Sequence, residues 1–367
     1  MSANGPAEGS AERGGAPLVL VFGAGAIGQW IGARFAEAGA AVTLLCRPAA
    51  VEAVQARGLR VRDAHGGVVN ASSVRAVDSL AALAGTPFDW IFVTVKAFDV
   101  ETALRELSQA GLLGKHTCVM GFQNGVGTDE LMTATVGAAR TFVCVVTRPI
   151  GLTDQPGEVE EASARGGISV APCVPGHDFG TLEPLLRRIE LPVTRFDDAQ
   201  AMKWSKLLLN MTANATCAIL DCSAADLYAS PGLFDIERAA FNEAAAVMRA
   251  LRLKPVNLPS YPARQLWMVM RNLPAPLARA ILRKRVGGAR GSKQPSLRIE
   301  MQRPRPQSEI HWLNGAVAAR AKALGLAAPA NQFLCDTLSA IVEGRVPWET
   351  WRHHPQQLLE AYHETMR

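Results

Sequence analysis

The chain has 367 residues, 49% of them hydrophobic and 19% charged, with a formal net charge of +5. Such a length exceeds one ordinary hydrophobic core, and such a composition excludes a disordered chain, so two globular domains are expected. No stretch approaches the roughly 18–20 uninterrupted apolar residues of a membrane span, and the N-terminal stretch has no apolar signal core, so no membrane partner and a cytoplasmic location are the expectations.

Residues 1–16, rich in Gly, Ala and charge, read as a disordered leader. The apolar run at 18–22 then passes directly into Gly23-Ala24-Gly25-Ala26-Ile27-Gly28 and a helical pattern. Strand, Gly-x-Gly-x-x-Gly and helix in that order form a dinucleotide site. Gly23 makes the tight turn, Gly25 admits a pyrophosphate to the backbone, and Gly28 lets the helix pack closely on the sheet. The phosphates would sit on the free N–H groups of the helix N-terminus. A second strand at 41–46 ends in Arg47 where an NAD-specific fold carries an acid, and a guanidinium suits a ribose 2′-phosphate. The expected cofactor is therefore NADP(H) and not NAD(H).

Further strands are expected at 90–95, 117–122 and 141–146, alternating with helical patterns in the rhythm of a parallel, doubly wound sheet. Lys96 follows the first of these and Asn124 the second. Ligands bind at the carboxyl ends of such strands, so both residues are expected near the nicotinamide end of the cofactor. Polar and apolar residues alternate over 149–171 around Gly151 and Pro156-Gly157, which predicts an antiparallel hairpin at the sheet edge. Residues 17–195 are thus read as an α/β domain of Rossmann type carrying NADP.

Beyond 195 the strand pattern stops, and helices are expected at 199–220, 231–251, 261–286, 309–324 and 332–343. Residues 196–345 are read as an all-α substrate and catalytic domain. In the first of these helices Lys206, Asn210 and Asn214 recur at i, i+4 and i+8, which aligns an ammonium and two carboxamides on one stripe. Asparagine is a poor helix former and buried polar groups must find partners, so the stripe is read as facing a cavity; the alternatives are the solvent face of an amphipathic helix and asparagines that tie helices together by hydrogen bonds. Between 264 and 305 stand eleven Lys or Arg residues against the single acid Glu300, a local charge of about +10 that leaves the remainder near −5. The segment has no nucleic-acid-binding module and little aromatic interleaving, so it reads as a solvated cationic surface, with a field that attracts an anionic cofactor and a carboxylate substrate as the alternative; no nucleic acid is expected as a partner. Ser296 lies in it, and Glu309 after it. In the tail, 346–367, Trp348, Trp351, Leu358, Leu359 and Tyr362 are spaced for a docked amphipathic helix. The seven cysteines, at 46, 118, 144, 173, 217, 222 and 335, form no C-x-x-C pair, and the histidines have no ligand spacing, so no metal and no disulfide framework are expected.

Taken together, GAGAIG at 23–28, Arg47, VTVK at 93–96, QNGVG at 123–127, KWSKLLLNMTANATCAIL at 203–220, PS at 295–296 and SEIHWLNGAV at 308–317 resemble the ketopantoate reductase (2-dehydropantoate 2-reductase) family. The resemblance runs from residue 17 to about 343. It implies an NADPH-dependent reduction of a small 2-oxo acid, ketopantoate to pantoate in pantothenate biosynthesis. By the same resemblance Lys206 is the proton donor and Glu309 the acid that holds the substrate hydroxyl. Asn124, Asn210, Asn214 and Ser296 match residues that hold substrate or order the lysine. Glu300 stands where the family frequently has Asp, and His311 where it usually has Asp, so a different small 2-oxo acid is the alternative substrate. A non-catalytic NADP-binding sensor is the alternative of another class, and a homodimer is compatible with either.

Overall fold

The computed structural model describes residues 15–289, 295–302 and 307–367. The leader expected over 1–16 lies, up to residue 14, outside the described residues, as do residues 290–294 and 303–306 of the basic segment.

The strands are β1 (Leu18–Phe22), β2 (Ala41–Leu45), β3 (Leu59–Arg62), β4 (Val68–Ala71), β5 (Arg75–Val77), β6 (Trp90–Val93), β7 (Cys118–Gly121), β8 (Thr141–Val146), β9 (Ile150–Leu152), β10 (Glu158–Glu161), β11 (Ile168–Pro172) and β12 (Val193–Arg195). Eight of them form one sheet in the order β12-β11-β8-β7-β6-β1-β2-β5. From β8 to β5 every pairing is parallel, and β11 joins β8 antiparallel. Because the chain passes from β1 outward to β2 and later returns to β6 on the other side of β1, the order reverses between β1 and β6. That reversal leaves a crevice at the carboxyl ends of these two strands.

Period-two alternation divides the strand side chains between two cores. Val19 and Val21 with Trp90 and Phe92 pack on the face covered by α1 (Ala26–Glu37), which supplies Trp30, Ile31 and Phe35. Leu20 and Phe22 with Ile91 and Val93 pack on the opposite face. After α2 (Pro48–Arg57), that face is covered by α3 (Val100–Gln109) and α4 (Thr128–Val136). Both faces are thus buried, which is why these strands read as continuous apolar runs. A short α5 (Glu183–Arg188) precedes β12.

The hairpin expected over 149–171 forms between β9 and β10, but in a separate four-stranded sheet, β4-β3-β10-β9. Its capture by β3 rests on charge pairs between residues distant in the chain. Glu158 of β10 pairs with Arg60 and Arg62 of β3, and Glu161 accepts bonds from Trp30, Arg34 and Arg148. Burial works to raise the Glu161 carboxyl, but those three donors outweigh it and hold the group below the usual carboxylate range.

The second half is helical: α6 (Ala199–Met211), α7 (Ala215–Leu220), α8 (Ala224–Ala229), α9 (Pro231–Ala250), α10 (Ala263–Asn272), α11 (Ala275–Ala289), α12 (Ser296–Met301), α13 (Asn314–Ala323), α14 (Pro329–Val342) and α15 (Pro355–Thr365). Three helices expected as single pieces are interrupted. The pattern over 261–286 is divided between α10 and α11 at Leu273-Pro274, where a proline forbids a continuous ladder. That over 309–324 opens with a short 3-10 turn at Ile310–Trp312 before α13 begins. The break over 199–220 shapes the site and is described below. The tail docks on this half: Leu358 and Tyr362 of α15 enter the helical core, and Trp348 Nε1 donates to the carbonyls of Ala218 and Ile219 at 3.1 and 2.9 Å. Among the described residues no helix is long and apolar enough to cross a membrane.

Candidate active site

The crevice between β1 and β6 is lined first by the glycine turn. Gly23 has φ +115°, a conformation only glycine adopts without strain, and a Cβ there would meet the Val95 backbone nitrogen at 2.9 Å. A Cβ on Gly28 would run into the Gly23 carbonyl oxygen and approach Thr94 Oγ1 to 2.6 Å. A Cβ on Gly25 would meet nothing within 4 Å. Two of the glycines therefore serve packing within the chain, and the third leaves an open approach to the start of α1. Gly25 is the N-cap of that helix, whose first turn carries no acid, so the Ala26, Ile27 and Gly28 end presents free N–H groups. Ala24 lies in the turn and its carbonyl accepts from Gln29 Nε2 at 2.8 Å. Thr94, which the sequence reading left without a role, ties the two sides of the crevice by donating to the Gly23 carbonyl at 2.6 Å. Arg47 follows β2, caps α2 and is exposed, with no ion-pair partner among the described residues. An open cradle at Gly25, a bare helix N-terminus and an exposed guanidinium suit a phosphorylated dinucleotide.

At the same end of the sheet, Lys96 and Asn124 meet the helical half. Lys96 Nζ donates to Glu300 Oε1 at 2.6 Å and to Glu309 Oε2 at 2.8 Å. Glu309 also accepts from the Ala97 N–H at 3.2 Å, and its own N–H donates to Glu300 Oε2 at 3.2 Å. Burial works to discharge the Lys96 ammonium, yet the two carboxylates raise its pKa above the ordinary lysine value. Burial also pushes the Glu300 carboxyl up, and the Lys96 ammonium offsets this only in part. Glu300 was legible as the lone acid of a basic segment and as standing where the family frequently has Asp, but without a partner. The spatial pairing with Lys96 spans 204 residues and has no sequence signal.

The Lys206, Asn210 and Asn214 stripe does not survive as one helical face. The chain leaves helical geometry at Thr212, whose ψ is 118°, and Ala213 adopts a left-handed φ of +52°. The buried Glu237 carboxylate of α9 holds the break, accepting the Ala213 N–H and the Thr216 hydroxyl, each at 2.6 Å. Asn214 becomes the N-cap of α7, and its amide bonds Ser296 Oγ at 3.3 Å while its Oδ1 accepts the Leu297 N–H at 3.1 Å. Asn210 remains on α6 and donates to Asn124 Oδ1 at 3.1 Å. The expected partners therefore meet as two pairs, Asn124 with Asn210 and Asn214 with Ser296, one on each side of the break.

Lys206 lies one turn before Asn210, 8% exposed, with its ammonium 4.6 Å from the centre of the Tyr261 ring. Lys203 is engaged elsewhere: its Nζ donates to Asp129 Oδ1 at 2.9 Å and Thr128 Oγ1 at 3.3 Å. Gly125, at φ +81°, brings the loop after β7 against the 3-10 turn, where the Val126 N–H donates to the Trp312 carbonyl at 3.0 Å. His311 bonds Ser339 Oγ at 3.2 Å and contacts Cys335 Sγ at 3.6 Å. Among the described residues no three His, Cys, Asp or Glu side chains are grouped to hold a metal ion.

Two family models match this chain, "Ketopantoate reductase PanE/ApbA" over residues 19–173 and its "C terminal" counterpart over residues 198–342. The chain belongs to the ketopantoate reductase family and is an oxidoreductase. It is 25% identical over 331 residues to a 2-dehydropantoate 2-reductase of Archaeoglobus fulgidus, covering 89% of this chain and 98% of that protein. A 2-dehydropantoate 2-reductase of Mesorhizobium japonicum is 28% identical over 260 residues, covering 64% of this chain and 77% of that one. The crystal structure of a PanE/ApbA family ketopantoate reductase from Ralstonia eutropha JMP134 superposes with a TM-score of 0.73 at 26% identity, covering 89% of this chain and 99% of that one. A D-mandelate dehydrogenase in complex with NADH and anilino(oxo)acetate superposes with a TM-score of 0.72, covering 89% of this chain and 99% of that one; at 22% identity this similarity speaks to the fold alone.

Proposed function

We propose that this protein uses NADPH to reduce a small 2-oxo acid, 2-dehydropantoate, to its 2-hydroxy acid, pantoate. The observation that carries the reading is the pairing of Asn124 with Asn210 and of Asn214 with Ser296, with the buried Lys206 one turn before Asn210 on α6. On this reading residues 17–195 hold the cofactor and residues 196–345 the substrate. The turn from Gly23 through Gly28 receives the pyrophosphate, Arg47 receives the ribose 2′-phosphate, and Lys96 and Asn124 border the nicotinamide end. A nicotinamide cofactor bound there supplies the hydride.

The remaining chemistry belongs to side chains. Negative charge that develops on a carbonyl oxygen must be neutralised as it forms, and an ammonium neutralises it both as a charge and as a proton source. Lys206 gives its proton to that oxygen. Asn210, Asn214, Asn124 and Ser296 present amide and hydroxyl donors to the carboxylate and the carbonyl. Glu309, braced by Lys96 and the Ala97 N–H, accepts from the substrate hydroxyl. Lys203 stands outside the chemistry, since its ammonium neutralises Asp129.

Replacing each lysine tests this division. Lys206→Ala is expected to lose on the order of 10²-fold or more in kcat with its melting temperature and NADPH affinity kept. Lys203→Ala is expected to unfold at lower temperature, because it strands a buried carboxylate, at a cost of about 3–5 kcal/mol. Burial alone would raise the Asp129 pKa, but Lys203 holds it below the ordinary value. The pair thus stabilises the fold above the unfolded-state Asp pKa of about 3.9 and loses that effect as the pH falls through the lower native value. Wild-type protein should show this acid-side loss and Lys203→Ala should not. A Lys206→Ala enzyme with wild-type kcat would contradict the assignment.

A further inference from the structure

We propose that Tyr261 is a positioning residue for Lys206, its ring face fixing the ammonium in the cleft. The inference rests on the reading of Lys206 as the proton donor. A strap of chain before α10 is anchored at several points so that this ring has one location. At its start the Val256 N–H donates to Ser205 Oγ at 2.8 Å, and Ser205 is the residue before Lys206 on α6. In its middle Leu258 and Tyr261 exchange backbone hydrogen bonds of 3.0 and 2.8 Å. Ser260 takes a left-handed φ of +59°, and its hydroxyl accepts the Gly166 N–H at 3.0 Å. The Tyr261 carbonyl also accepts the Ala263 N–H at the start of α10, at 3.0 Å. Leu258 is buried with Val145 and Met202, and Tyr261 packs against the same cluster.

The chemistry of an aromatic face suits a proton donor. A ring quadrupole attracts a cation within about 6 Å of its centre, and the Lys206 ammonium is 4.6 Å away. The ring accepts no proton, so it can hold the ammonium in place while leaving the proton available for transfer. The phenol oxygen has no part in this: it is the ring that positions Lys206.

Comparison of Tyr261→Phe with Tyr261→Leu tests the proposal, with kcat and KM for 2-dehydropantoate, NADPH Kd and melting temperature measured on each. Tyr261→Phe should keep kcat within about twofold. Tyr261→Leu, which retains an apolar side chain without a π-face, should lose about tenfold in kcat, the scale of one cation–π contact. Its NADPH Kd, melting temperature and KM should stay within about twofold or a few degrees of wild type. The proposal is overturned if Tyr261→Leu keeps wild-type kcat or if Tyr261→Phe falls as far as Tyr261→Leu. It is equally overturned if NADPH affinity and melting temperature fall together with kcat, the mark of a structural role. Lys206→Ala assayed alongside separates the two claims, since undiminished kcat in that variant removes the proton-donor reading itself.

Discussion

At the scale of single residues, the proposed function gives Arg47 the choice of cofactor. The guanidinium is exposed at the end of β2 and makes no ion pair among the described residues, so it is available to an external phosphate. Replacing Arg47 with Ala should weaken NADPH binding by roughly 1.5–3 kcal/mol, the cost of one charge-assisted pair, and leave NADH binding nearly unchanged. Titration of both cofactors by fluorescence checks this, and equal losses would remove Arg47 from the phosphate site. Gly23 and Gly28 were legible in the sequence because each answers to a local requirement, a backbone without a Cβ. Glu300 and Tyr261 were not. Their roles depend on partners at Lys96 and Lys206, and no periodicity encodes a pairing across 204 residues.

At the scale of elements, the turn between β1 and α1 separates two uses of glycine. Gly28 packs against the Gly23 carbonyl and Thr94, whereas Gly25 borders open space at a backbone φ of −71° that alanine adopts freely. Gly25→Ala should therefore leave the melting temperature unchanged and weaken NADPH binding at least tenfold, because the new methyl stands where the pyrophosphate approaches. Gly28→Ala should lower the melting temperature as well. Thermal unfolding with and without NADPH distinguishes the two, and a Gly25→Ala protein that binds NADPH normally would contradict the cradle. Strand placement was legible because apolar runs at 18–22, 90–93 and 141–146 answer to burial on both faces. The division of the 199–220 helix was not, because the carboxylate that holds Ala213 left-handed comes from Glu237 on another helix. Apolar spacing through 207–209 and 217–220 continues across the break as if the helix were whole.

At the scale of the whole molecule, the two halves are joined at the site. Lys96 reaches Glu300 and Glu309, Asn124 reaches Asn210, and the Val126 N–H reaches the Trp312 carbonyl, so the parallel sheet and the helical half close on one another where the strand order reverses. The α/β-then-helical succession was readable from the change in hydrophobic period near residue 195, and the sheet order then determined where a cleft would lie. The small β4-β3-β10-β9 sheet was only half readable, since its hairpin is local and its capture by β3 is not. The account as a whole requires a catalyst and not a binder. Its most direct test is the consumption of NADPH by the purified protein, followed by absorbance, against a panel of 2-oxo acids that includes 2-dehydropantoate. The account predicts multiple turnovers with 2-dehydropantoate and formation of one pantoate per NADPH oxidised, with NADH a poorer donor. Saturable NADPH binding without oxidation by any 2-oxo acid would contradict it.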